Sequence, residues 1–249
     1  MTQAETLSLV VDGPEAAALT GLGGDNLVMR AARAFVVRHG IGTGATLRLD
    51  KHLPVASGIG GGSSDAAATL RALARLWKRP LDQAAIDIAA SLGADVPACL
   101  AAQPVWVGGI GERLDPLPDL PPLGIVLANP RRELPTASVF RARQGAFTAG
   151  ERPRAAPRDA AALIALLRQC RNDLTEAALS LQPEIATVLA RLDALEDAQL
   201  VRMSGSGATC FVLFADRAAA ERAAAMLSRT EPGWWVRAGA LLAGPPAVG

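Results

Sequence analysis

Pro54-Val55-Ala56-Ser57-Gly58-Ile59-Gly60-Gly61-Gly62-Ser63-Ser64-Asp65-Ala66-Ala67 leads out of an alternating segment, Ala45 to Lys51, and into one with helical spacing, Ala66 to Trp77. Without Cβ atoms the backbone N–H groups of such a loop can approach an anion closely, and the helix that follows adds its unpaired donors and positive potential at the same place. The stretch therefore reads as a cradle for a polyphosphate. Its candidate binding residues are Pro54, Val55, Ala56, Ser57, Gly58, Ile59, Gly60, Gly61, Gly62, Ser63 and Ser64. The two serines stand where the first helical turn begins, so they can donate to phosphate oxygens, and Ser64 is the candidate ligand for a Mg²⁺. A plain strand-to-helix turn is the bland alternative, and it needs fewer glycines. Two other glycine fingerprints fail: no lysine follows the glycines as a P-loop requires, and Ser63 stands where the dinucleotide pattern needs a third glycine.

Outward from this loop, short apolar runs alternate with helical segments. Upstream, Thr6 to Val11 reads as a strand, and Asp25 is placed to cap a helix from Asn26 to about Arg38. Leu47 and Leu49 alternate with Thr46, Arg48 and Asp50, the mark of a half-buried strand. Downstream come a helix at Asp82 to Leu92 and strands at Pro104 to Val107 and Leu123 to Ala128. The Gly-, Pro- and Arg-rich stretch Gly145 to Arg158 reads as a mobile loop. Helices at Asp159 to Gln169, Pro183 to Leu195 and Arg217 to Ser228 follow, with strands at Leu200 to Met203, Cys210 to Phe214 and Trp235 to Ala238, and the tail from Leu242 is expected to fray. The order implies an α+β protein in two lobes, residues 1–120 and 121–249.

Composition narrows the function classes. The 249 residues are half hydrophobic and carry a formal net charge of +1, which disfavours a nucleic-acid binder held by bulk charge. There is no tyrosine, so base-stacking platforms are unexpected too. No apolar run reaches the length of a membrane span, and Met1 to Glu5 lack the basic start of a signal peptide. Three scattered cysteines form neither a disulfide framework nor a zinc pattern, which fits a reducing cytoplasm. A small-molecule partner is what remains, and the sequence leaves the oligomeric state open.

Two further segments carry candidate chemistry. Gly93-Ala94-Asp95-Val96-Pro97 sets a carboxylate on a turn, with Pro97 suited to the first position of a short helix. Asp95 is either a helix cap or a group facing a ligand. Ser204-Gly205-Ser206-Gly207-Ala208 reads as a hairpin turn whose glycines permit close backbone approach, with Gly207 as its candidate substrate-facing residue. His39 and His52 adjoin no ligand-spaced partners and read as structural or surface residues. Cys99 and Cys210 read as small core residues, and Arg131, Arg132, Arg152, Arg154 and Arg158 as solvated charge.

Together these segments resemble the superfamily of galactokinase, homoserine kinase, mevalonate kinase and phosphomevalonate kinase. The Gly60-Gly61-Gly62-Ser63-Ser64-Asp65 form of the loop is closest to the branch acting on 4-diphosphocytidyl-2-C-methyl-D-erythritol. Asp25-Asn26-Leu27-Val28, Gly93 to Pro97, Ser204 to Ala208 and the less specific Asn172-Asp173-Leu174 follow that branch in order. The resemblance implies a ribosomal S5 domain 2-like N-terminal lobe and a C-terminal α+β sandwich lobe. It also implies ATP with Mg²⁺ as cofactors, and phosphorylation of the substrate's 2-hydroxyl as the reaction. Asp95 would then be the catalytic carboxylate and a substrate-binding residue, and Thr136 and Ser138 fall in a segment that the family uses on its substrate side.

The chain departs from the family at its start. Family members open with an alanine-proline-lysine-like strand and a Gly-Tyr-His segment, whereas no lysine or histidine precedes Arg38 here. The expectation is a natural start further upstream; a catalytically impaired paralogue and another kinase of the superfamily are the alternatives. The only lysines are Lys51 and Lys78. Neither is placed by sequence to stand beside a transferring phosphate.

Overall fold

The computed structural model describes residues 1–20, 26–150 and 155–241. The chain divides into two compact units, the first formed by Met1–Val55 and Gly60–Pro116, the second by Ala56–Ile59 and Leu117–Gly249. The mixed order of helices and strands is the α+β class expected.

In the first unit, β1 (Thr2–Ala4) pairs antiparallel and β2 (Ser8–Asp12) parallel with the central β3 (Gly44–Asp50). A 3-10 turn at Ala16–Leu19 and helix α1 (Leu27–His39) connect β2 to β3. The expected cap Asp25 lies outside the described residues; Asn26 caps α1, its side chain accepting from the Val28 N–H at 2.9 Å. Helices α2 (Gly61–Leu76), α3 (Gln83–Leu92) and α4 (Val96–Ala101) follow, then the hairpin of β4 (Val105–Gly108) and β5 (Arg113–Pro116). The apolar faces of α1, β3, α2 and α4 meet in a core around Phe35, Leu47, Leu70, Leu73 and Val96. At 25–30 cal/mol per Å² of buried apolar area, each such large side chain contributes roughly 1.5–3 kcal/mol.

The second unit is built on an antiparallel sheet of β6 (Gly124–Asn129), β7 (Leu200–Met203), β8 (Cys210–Phe214) and β9 (Trp235–Ala240) in the order β7-β8-β6-β9. Helices α5 (Thr136–Ala142), α6 (Ala160–Gln169), α7 (Thr175–Leu181), α8 (Glu184–Asp193) and α9 (Arg217–Thr230) complete it. Its largest core gathers Val126, Val139, Ile185, Leu192, Met203 and Phe214. The hairpin expected around Ser204 to Ala208 is present, since β7 and β8 pair directly from Met203↔Cys210.

Several boundaries differ from the sequence reading. Helix α2 starts at Gly61 rather than Ala66, because its first positions have no intrahelical N–H bond to make and tolerate glycine there. Val96, not Pro97, is the first residue of α4. Strands β1 and β5 and helices α5 and α7 have no counterpart in that reading. Within the stretch Gly145 to Arg158, residues 151–154 lie outside the described residues, as does the tail from residue 242.

Candidate functional site

The glycine stretch is divided by its own conformations. Gly60 sits in the left-handed region at φ +67, with open space where a Cβ would stand, and turns the chain into α2. No side chain caps this helix and no acidic residue occupies its first turn. The N–H groups of Gly61, Gly62 and Ser63 therefore have no intrahelical acceptor, which makes the start of α2 a ready anion site. Ser63 is half-buried and Ser64 exposed on that turn.

Beneath the turn lies a group the sequence reading discounted. Lys51, just past β3, is 4% exposed, and its Nζ donates to Asp65 Oδ2 at 2.6 Å. That ammonium stands 3.5 Å from the point a Cβ on Gly61 would occupy, with Leu53 Cδ1 at 3.3 Å on the same side. Neither lysine was expected beside a transferring phosphate; the structure places Lys51 next to the loop, because chain folding returns the end of β3 to the first turns of α2. Lys78 ends up beyond α2, at φ +50.

Asp95 holds the N-cap position of α4, yet its side chain makes no capping bond and its backbone is already helical at φ -84, ψ -15. The cap reading therefore fails on geometry. The residue is exposed, and among the described residues its carboxylate has no hydrogen bond or ion pair. Two contacts fix its turn. Arg71 of α2 donates from Nη1 to the Cys99 carbonyl at 2.8 Å, tying α4 down. Gly111, at φ +111 in the β4–β5 hairpin, lies so close that a Cβ there would be 2.4 Å from the Ala94 carbonyl oxygen. Burial, and then the nearby Asp95 charge, push the Cys99 thiol pKa upward.

In the second unit Ser57 and Gly58 dock onto the Ser204 to Thr209 turn. Ser204 Oγ donates to the Gly58 carbonyl at 2.9 Å, and the Thr209 N–H to the Ser57 carbonyl at 3.2 Å. Gly58 has φ +73, and a Cβ on it would fall 2.5 Å from the Gly207 oxygen, so only glycine fits. Gly207 itself is buried, and a Cβ on it would meet Met203, Ile185 and Leu134; the exposed member of the turn is Gly205. Asn172 holds this turn by donating from Nδ2 to the Met203 and Gly205 carbonyls at 3.0 and 2.8 Å. Its Oδ1 accepts from the Leu174 N–H at 3.0 Å. Thr136 Oγ1 lies 2.8 Å from Ser206 Oγ, and buried Asn129 donates to Thr209 Oγ1 at 2.8 Å. Asn129 and Gly111 had no sequence signal as site residues, because each acts through a partner far along the chain.

The expected site residues thus fall into two groups. Gly60 to Ser64 and Asp95 belong to the first unit, along with Pro54 and Val55; Ala56 to Ile59 and Gly207 belong to the second, where Gly58 and Gly207 touch. Among the lesser candidates, His52 pairs with Asp50 at the surface, Cys99 is half-buried, and Cys210 is a core thiol whose pKa burial pushes up to about 12; Arg152 and Arg154 lie outside the described residues. Among the described residues no cluster of three or more His, Cys, Asp or Glu side chains could hold a metal ion, and no helix is long and apolar enough to cross a membrane.

Comparison with known proteins shows which family the chain belongs to. The GHMP kinases N terminal domain family matches residues 26–103, and the GHMP kinases C terminal family residues 153–233. A 4-diphosphocytidyl-2-C-methyl-D-erythritol kinase of Paramagnetospirillum magneticum is 49% identical over 96% of this chain and 84% of its own length. One of Rhodospirillum rubrum is 50% identical over 96% of this chain and 79% of its own. Among solved structures, a 4-(cytidine 5'-diphospho)-2C-methyl-D-erythritol kinase superimposes with a TM-score of 0.77 at 35% identity, over 96% of this chain and 84% of that one. A homoserine kinase from Cytophaga hutchinsonii shares the fold, with a TM-score of 0.68 at 16% identity, over 98% of this chain and 83% of that one.

Proposed function

From a chain that belongs to the GHMP kinases, we propose transfer of the γ-phosphoryl group of ATP to the 2-hydroxyl of 4-diphosphocytidyl-2-C-methyl-D-erythritol, a step toward isoprenoid precursors. The observation that carries the reading is the uncapped, glycine-lined start of α2, whose amides are free to take a phosphate chain. Gly60 to Ser63 bind through backbone N–H groups, and the hydroxyls of Ser63 and Ser64 donate to phosphate oxygens.

The acceptor alcohol attacks the γ-phosphorus in line. Its oxygen forms the new O–P bond as the bond to the β-phosphate oxygen breaks, and ADP leaves. Asp95, unpaired among the described residues, accepts the alcohol's proton or aligns the hydroxyl for attack. In the second unit, Gly207 shapes a turn that Asn172 holds through hydrogen bonds to the Met203 and Gly205 carbonyls.

Mg²⁺ fits the donor set as a guest of the phosphates rather than of a protein cage. One exposed hydroxyl, Ser64, is available on the first turn of α2, and the Asp65 carboxylate beside it is held by Lys51. Such an ion, when bound, neutralises charge developing on the phosphates.

Two measurements test the reading. Titration calorimetry should show ATP binding. A coupled assay should show ADP release that depends on 4-diphosphocytidyl-2-C-methyl-D-erythritol and not on homoserine or mevalonate. ADP release with homoserine or mevalonate but not with the diphosphocytidyl substrate would overturn the assignment.

A further inference from the structure

We infer that Lys51 and Asp65 form a positioning pair for the phosphate loop, in which the buried Lys51 ammonium adds positive potential behind the glycine backbone and Asp65 tempers it. This rests on the reading of the α2 N-terminus as the nucleotide-phosphate site.

The placement is a poor one for a purely structural contact. A buried ion pair brings little net stability, because desolvation of both charges offsets their attraction. Here the cation also lies against the positive end of a helix, where the amide dipoles repel it. Lys51 is 4% exposed, and its Nζ stands 3.5 Å from the position of a Gly61 Cβ, so the ammonium and the first helical residue share one small volume. Asp65 is on the second turn of α2, with its side chain 23% exposed and its Oδ2 2.6 Å from Nζ. The carboxylate holds the ammonium in place while no anion is bound. A polyphosphate at the start of α2 reverses the balance: the helix end and the buried cation, which repel one another, both attract it.

A structural staple and a charge device respond differently to the two halves of the pair. Asp65→Asn and Lys51→Met both break the ion pair, so both should lower the melting temperature without nucleotide. Their effects on ATP should part. Lys51→Met should weaken ATP by about tenfold, the scale of a charge-assisted contact. Asp65→Asn, which leaves the cation untempered, should bind ATP as tightly as the parent or more tightly. The gap should narrow from ATP to ADP to AMP as phosphate charge is removed.

Should Lys51→Met fail to fold, Asp65→Asn and the double variant Lys51→Met/Asp65→Asn differ by the lysine charge alone, and the double variant should be the weaker binder. Equal ATP affinity in that pair, or equal weakening in the two single variants, would overturn the inference while the parent still binds ATP. A parent that binds no ATP overturns the nucleotide-site reading and this inference with it.

Discussion

Two glycine-rich segments of this protein look alike on paper and work in opposite ways. Gly60 to Ser64 opens a long helix and leaves its first amides without capping side chains. The turn Ser204 to Ala208, by contrast, is held on every side: Asn172 takes its carbonyls, Thr136 meets Ser206, and the Ser57-Gly58 backbone is bonded to Ser204 and Thr209. Glycine therefore serves two purposes here. In the first segment it keeps side chains away from a surface that can receive an anion; in the second it lets two backbones touch. Glycine content does not separate these uses. The destination of the N–H and C=O groups does.

The comparison can be broken or sharpened by substitution. Asp95→Asn tests the open side. Because Asp95 caps nothing, the variant should keep its melting temperature and ATP affinity while kcat falls by ~10²–10⁴, about 3–5 kcal/mol of barrier. A fall in melting temperature with kcat nearly unchanged would return Asp95 to a capping role.

Gly58→Ala tests the closed side. A Cβ there meets the Gly207 oxygen at 2.5 Å on a backbone with φ +73, so about 3 kcal/mol of stability should be lost, or roughly 6–12 °C in Tm. An unchanged Tm would show that the two backbones separate readily.

Gly60→Ala should cost only about 1–2 kcal/mol, since its φ of +67 strains an L residue but nothing lies in the way. Here ATP affinity, read by calorimetry, should fall more than stability does. The smallest effect is expected for Ser204→Ala, which deletes one half-exposed hydrogen bond to Gly58 and should lower stability by about 0.5–1.5 kcal/mol by denaturant titration. A larger loss would mean that Ser204 holds more of the docked Ser57-Gly58 segment than its one bond suggests.

Elements with strong periodicity or clear caps were legible in the sequence. Asp82, Asp159 and Asp216 each accept a backbone N–H at the start of a helix, and the alternation of Leu47 with Arg48 marks a strand with one buried face. Short elements were not. Strand β1 has three residues and α5 and α7 seven each, too few for a period to emerge, and β5 ends in a proline. The start of α2 was hidden for another reason: glycine reads as loop by propensity, although the first turn of a helix asks little of it. In the candidate site, Gly60 to Ser64 could be picked out from residue type and spacing, and Asp95 only through the family resemblance. Asn129, Gly111 and the pairing of Lys51 could not.

By itself the sequence determined which local conformations are available: a glycine-rich, anion-accepting loop ahead of a helix at Gly60 to Ser64, a turn that sets out Asp95, and a chain order that places the protein among its relatives. Only the tertiary structure decided what each polar group meets. It brought Lys51 to Asp65 across 14 residues and Ser204 to Gly58 across 146. It also buried Gly207 in the apolar core while leaving Asp95 in solvent. The physical reason is range. Propensity, capping and glycine strain act within a few residues of chain, whereas burial and charge pairing depend on which surfaces pack together, and that is settled by the whole core at once.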